Sequence, residues 1–174
     1  MGKACSSWSG MRKYLEKEML ADTLQGRIRY GCTRYVGMDT CYIFEVYVDG
    51  ILFKQFSWET VNRYFFRQGY APACHPMTIG EYWRHFPALL AQHPLDTRTE
   101  YTDDEFCAAL KTYRNSSILD SVRSRNPIVK MFALLDRRVG QRTLESLGME
   151  MRTAPDWLVR LYRLRLDPSK DFWK

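Results

Sequence analysis

The residues with catalytic or ligating chemistry are few and scattered. His75, His85 and His93 are the three histidines, and no HExxH pair and no CxxC stands near them. A structural or catalytic zinc needs three or four such ligands at close spacing, so no metal is expected. Cys74-His75 sets a thiol beside an imidazole, the pair that a nucleophilic enzyme activates. No GxSxG elbow and no family motif ties that cysteine to a base. Nucleotide phosphates find neither a GxxxxGK[ST] loop nor a GxGxxG turn, and no cofactor is expected. Asp103, Asp104 and Glu105 follow Thr102. In the first turn of a helix each acid gains about 0.3–1 kcal/mol from the macrodipole, which accounts for the run without catalysis. An enzyme built on Cys74 and His75 is therefore the third reading of function.

Charge gives the second. The net charge is +6, and residues 121–174 hold all of the excess, with 12 Lys+Arg against 6 Asp+Glu. A basic end attracts nucleic acid or an acidic protein, and it is also the ordinary surface of an Arg-rich helix. Arg27, Arg29, Arg34 and Tyr35 add a basic, aromatic strand, without the RRM signature. These residues define a nucleic-acid-binding regulator as the alternative.

Within the basic end, "FALLDRRVGQRTLESLG" puts Asp136, Arg137 and Arg138 side by side. On a helical wheel Ile128, Met131, Phe132, Leu135 and Val139 form one stripe. Arg137 then faces water and is a candidate ligand contact. Asp136 and Arg138 fall on opposite borders of the stripe, two positions apart, where helical side chains do not meet. Asp136 needs a cation from elsewhere. Arg165, set among Trp157, Leu158, Leu161 and Leu164, is expected to supply it in a buried structural ion pair.

The elements that carry these residues are legible from period and capping. The chain of 174 residues, 45% hydrophobic and 26% charged, suits one globular domain, 1–174. Its parts are 8–66, with a helix, the sheet and the first helix after it, and a helical part, 78–174. A helix over about Ser9–Leu20 precedes strands at 27–36, 41–48 and 51–56. Asp49-Gly50 is a two-residue hairpin turn, so Val48 should face Ile51, Tyr47 Leu52, Val46 Phe53 and Glu45 Lys54. One face, Phe44, Val46, Val48, Ile51 and Phe53, reads as core. The other carries Ile43, Glu45, Tyr47, Leu52, Lys54 and Phe56. Helices follow from caps at Ser57, Thr78, Thr102, Asn126 and Thr153, and a short helix is expected over Ser117 to Arg123. The Asn126 helix should run from Pro127 to its stop at Gly140. The class is α+β: a three-stranded antiparallel sheet after an N-terminal helix, then a mostly helical remainder.

Five cysteines, an odd count, indicate reduced thiols and a cytoplasmic setting. No apolar run of about 18 residues predicts a membrane span. "MGKACS" fits N-myristoylation at Gly2 and Ser6, with Cys5 open to a second lipid.

Three segments resemble an uncharacterised family of small bacterial proteins: "LQGRIRYGCTRY" with "VYVDG", "NPIVKMFALLDRRVGQRTLESL", and "APDWLVRLYRLRL". The shared features match at Leu24, Gly26 and Arg27, at Thr33-Arg34-Tyr35, at Asn126-Pro127-Ile128, at Asp136, Arg137, Arg138, Gly140, Arg142, Thr143 and Leu144, and at Leu164-Arg165. The middle, roughly Gln68 to Thr99, is longer than in that family. The resemblance implies a helix, a short sheet and a helical second half in a bacterial cytosolic protein, and it argues against lipidation. It brings no activity. With no catalytic constellation and an aromatic, charged sheet face, the first reading is a non-catalytic protein-binding protein, an immunity-type inhibitor or adaptor. Its partner-binding candidates are Ile43, Tyr47 and Phe56, with Arg27, Arg29 and Arg137. Another protein is the expected partner, nucleic acid the alternative, and no membrane is expected.

Overall fold

The computed structural model describes residues 7–35, 41–70 and 78–174. The MGKACS start and the Cys74-His75 pair lie outside them. Capping chemistry sets most helix starts. The Ser57 side chain accepts from the Thr60 N–H and opens α2, Trp58–Phe65. Thr78 and Thr102 form full capping boxes with Glu81 and Glu105, opening α3, Ile79–Gln92, and α4, Asp103–Asn115. Ser117 caps α5, Ile118–Val122. Asn126 caps α6, Pro127–Leu135, with proline at its first position. Short α7, Gln141–Ser146, and α8, Gly148–Met151, lead to α9, Asp156–Leu166. Thr153 does not cap α9. Its hydroxyl donates to the Glu150 carbonyl, and the helix begins after Pro155. At the front, α1, Trp8–Lys13, runs on into a π-helical turn, Tyr14–Met19.

The strands β1, Ile28–Tyr35, β2, Cys41–Val48, and β3, Ile51–Phe56, form an antiparallel sheet in the order β1-β2-β3. Asp49 and Gly50 both have positive φ, 51° and 81°, the signature of a type I′ turn. Val48 faces Ile51 and Tyr47 faces Leu52, as the turn dictates. The ladder then slips. Phe53 is an extra residue, and Val46 faces Lys54, Glu45 faces Gln55 and Phe44 faces Phe56. This bulge exchanges the faces of everything beyond it. The Glu45–Lys54 pairing read from the sequence is therefore not formed. Lys54 and Phe56 point inward, and both are buried.

The exchange has a physical cause. Phe56, fully buried, packs 4.9 Å from Phe106 of α4 and 6.2 Å from Tyr101. An unslipped ladder would hold that ring on the outer side. Lys54 enters a site made for an ammonium. It donates to the Thr99 carbonyl at 2.6 Å and to Glu100 at 2.7 Å, with the Tyr101 and Trp157 rings beside it.

The core lies between this sheet face and the helices. Phe106 stacks on Phe44 at 4.5 Å, and Phe132 of α6 meets Phe106, Tyr113 and Tyr30. Every residue of α6 is buried, so this helix is the centre of the domain. Its one cation, Lys130, pairs with Glu150. A smaller cluster, Val61, Phe65, Tyr82 and Phe86, joins α2 to α3.

α6 ends at Leu135, earlier than the stripe to Val139 predicts. Asp136 is already extended (φ −73°, ψ 134°), and its backbone bridges to Leu20. Leaving the helix lets Asp136 reach Arg138, at 2.6 Å to Nη2 and 2.7 Å to the backbone N–H. The Tyr113 hydroxyl donates to the same carboxylate at 2.5 Å. The expected Asp136–Arg165 ion pair is not formed. Arg165 donates to the Val139 carbonyl at 2.9 Å instead, and burial lowers its pKa against the opposing pull of the Asp136 charge.

Candidate functional site

Strand alternation brings Arg29, Gly31, Thr33, Ile43, Glu45, Tyr47, Leu52 and Gln55 to the sheet face away from the helices. Arg29, Tyr47 and Leu52 form one row across the strands, and Gly31, Glu45 and Gln55 the next. Arg29 and Leu52 are exposed, and Ile43, Glu45, Tyr47 and Gln55 are half-buried. Ring contacts from α1 and α4 reach the sheet through Phe44 and Phe56, on the opposite face. Tyr47 and Gln55 both donate to Glu45 on this outer face.

Its polar groups are held in place. The Tyr47 hydroxyl donates to Glu45 Oε2 at 2.9 Å, and Gln55 donates to Oε1 at 3.4 Å. The bond to Glu45 raises the Tyr47 pKa, and the nearby Arg29 charge opposes that rise. Gly31 makes the arrangement possible. A Cβ there would lie 2.8 Å from Glu45 Oε2 and 3.1 Å from the Tyr47 ring. The missing side chain leaves a saddle over β1, and the carboxylate and phenol lie in it.

The sheet's edges carry acids. Glu16 accepts the Tyr30 N–H at 2.7 Å on the outer edge of β1. Asp103 accepts the Tyr42 N–H at 3.1 Å, where β2 runs on past the end of β3. Carboxylates on edge amides oppose the addition of another strand there. Asp103 Oδ1 is buried with no hydrogen bond among the described residues, and burial raises the pKa of this carboxyl.

The sequence candidates separate accordingly. Ile43, Tyr47 and Arg29 share the open face. Phe56 does not, because the bulge turns it into the core. Arg27 is committed elsewhere: it holds Asp49 at 2.6 and 2.8 Å and donates to the Pro168 carbonyl. Arg137 is exposed just after α6, with its backbone N–H on the Met19 carbonyl. Gly31 and Gln55 join the site from structure, beside Glu45 and Leu52, which strand alternation already placed on this face. A glycine inside a strand is the sequence signal for Gly31, since it marks a place where other groups approach the backbone.

Several cations of the basic half are used internally. Arg160 lies against three rings, Arg165 holds a carbonyl, and Lys130 and Arg138 hold acids. A cavity of about 10 Å³ beside Asp136 is lined by Tyr30, Tyr113 and Phe132. That is room for one water at most, far below a substrate pocket. His93 packs on the Phe65 and Tyr70 rings. Among the described residues no three His, Cys, Asp or Glu side chains gather as a metal site would need, and no helix is long and apolar enough to cross a membrane.

Fold and site together define a small α+β protein with one sheet face packed on helices and the other presented outward. The chain belongs to the SF0329 protein family, an uncharacterised family whose profile matches residues 7–166. No curated protein and no solved structure matches it.

Proposed function

We propose that this protein is a non-catalytic protein-binding module, an inhibitor or adaptor of the immunity type, that grips its partner with the outer sheet face. The observation that carries this reading is the saddle over Gly31. There Tyr47 and Gln55 both donate to Glu45 and are flanked by exposed Arg29 and Leu52. Polar groups fixed before contact lose little freedom on binding, and the apolar rim supplies area. Acids on the sheet edges favour docking on the face over strand addition. The setting is a bacterial cytosol, which the free thiols of Cys32, Cys41 and Cys107 support.

The test is capture from a lysate of the source cells, with and without nuclease, using the unaltered protein and a Leu52→Asp variant. A protein retained after nuclease and lost with Leu52→Asp supports the reading. Retention that disappears with nuclease, falls steeply with salt and needs Arg29 assigns the protein to nucleic acid instead.

A further inference from the structure

Beyond α9 the chain turns back on itself. Residues 167–174 form turns only, and they lie across a notch between the β2–β3 hairpin and α9. Phe172 is buried, with its ring edge-on to Phe53 at 4.9 Å. Trp173 remains 37% exposed, 5.1 Å from Phe172 and 6.3 Å from Phe53. The Arg160 guanidinium stands 4.6 Å from the Phe172 ring, 5.3 Å from Trp173 and 5.6 Å from Phe53.

Main-chain recognition accompanies the rings. Arg160 donates to the Phe172 carbonyl at 2.9 Å, and Arg27 donates to the Pro168 carbonyl. The Trp173 indole N–H donates to the Val48 carbonyl at 3.3 Å. Ser169, Lys170 and Asp171, between these points, are exposed. Two adjacent aromatic anchors, two carbonyls read by arginines and a solvated stretch between those carbonyls are how a short docked peptide is held.

Two further observations point the same way. Phe53, the platform for both rings, is the bulge residue, so the sheet's one irregularity serves this notch. The family profile stops at residue 166, the end of α9, and the strap lies outside it.

We infer that the notch is a docking site for a short, turn-forming segment of a partner protein that carries two adjacent aromatic residues, and that Phe172-Trp173 fills it as a tethered occupant. Tethering gives the strap an effective concentration on the order of mM, so weak segments are excluded and a stronger one displaces it. This site is separate from the outer sheet face and does not depend on it.

The test uses the full chain with Phe172→Ala and Trp173→Ala together, and a labelled peptide of residues 167–174. The double variant should bind the peptide about tenfold or more tightly than the unaltered protein does, because the tethered competitor is gone. Adding Arg160→Gln should weaken that binding about tenfold, because the cation facing the rings is lost. Absence of binding by a folded double variant overturns the proposal, and so does equal binding by both proteins. A doubled mass with exchanged straps would make a second copy the occupant and overturn it as well. Should the double variant not fold, fluorine NMR of fluorotryptophan-labelled, unaltered protein decides. Excess peptide should shift the Trp173 resonance to a displaced state, and an unmoved resonance overturns the proposal.

Discussion

Asp136 and Arg138 hold each other's charge two residues apart, at the point where α6 stops. Asp136 has no exposed side-chain surface, while Arg138 is half in water. What each change leaves behind sets its cost. Arg138→Ala should cost about 3–5 kcal/mol, because it leaves the buried Asp136 carboxylate without its cation. Asp136→Ala should cost about 1–3 kcal/mol, because it strands the Tyr113 hydroxyl and frees the Arg138 N–H, while the arginine itself turns to water. Tyr113→Phe should cost about 1–3 kcal/mol through the lost hydrogen bond. Urea denaturation of the three variants gives the order. A cost of about 1 kcal/mol or less for Arg138→Ala would mean that water reaches the carboxylate once the arginine is gone.

The same residues show what the sequence makes legible. Burial of Asp136 follows from the apolar stripe, and so does its need for a cation. The partner does not, because a helical wheel assumes that the helix continues. Asp136 leaves the helix, and the two-residue gap that a helix forbids becomes easy to close. The hairpin repeats the lesson. Asp49-Gly50 sets the first two cross-strand pairs, which are local, whereas the bulge at Phe53 answers to Tyr101, Phe106 and Glu100, far along the chain. Two-residue periodicity knows nothing of those contacts, so Phe56 and Lys54 fall on the wrong face when read from sequence. Ile43, Tyr47 and Arg29 lie before the slip and fall on the right one. Capping boxes at Thr78 and Thr102 are legible because all their parts lie within four residues.

The turn itself is open to test. Gly50 has φ of 81° and open space where a side chain would stand, so conformation alone is at stake. Gly50→Val should destabilise by about 1 kcal/mol or more, because a β-branched residue resists positive φ. Gly50→Asn, which tolerates that region, should recover most of the loss. Thermal melts of both variants check this. An unchanged melt for Gly50→Val would show that the hairpin does not depend on the turn.

Asp103 predicts a pH dependence. Burial raises its carboxyl above the ordinary value of 3.8, and the Tyr42 and helix N–H groups only partly oppose this. Between 3.8 and the raised folded value, the folded chain holds a proton that the unfolded chain has released. Stability from this group therefore falls as pH rises through that window, and is regained as acid restores the proton. Asp103→Asn removes the titration. Measured from about pH 3 to pH 7, the stability of the variant relative to the unaltered protein should rise across the window and then level off. Subtracting the two curves cancels the other carboxylates. A flat difference would mean that Asp103 titrates alike in both states.

The outer face gives a prediction in which binding and folding part company. Tyr47 and Phe56 are both aromatic residues of the hairpin, but Tyr47 stays on the outer face while the bulge turns Phe56 inward. Phe56→Ala opens a cavity against Tyr101 and Phe106 and should cost about 3–5 kcal/mol of stability. Tyr47→Ala removes a half-buried ring and should cost about 1 kcal/mol or less. On a partner that uses this face the order should reverse. Tyr47→Ala should weaken binding by about 2 kcal/mol, roughly thirtyfold, as central aromatic residues do. Gly31→Val separates the two effects further. Its side chain would displace the Glu45 carboxylate and the Tyr47 ring, which are side-chain and not backbone atoms, so the fold should survive while the bonded saddle is lost. Titration calorimetry against the captured partner, beside urea curves for the same three variants, reads both quantities. A Gly31→Val protein that folds and still binds at full strength would show that the saddle is not the contact, and Arg29 and Leu52 would then have to carry the face alone.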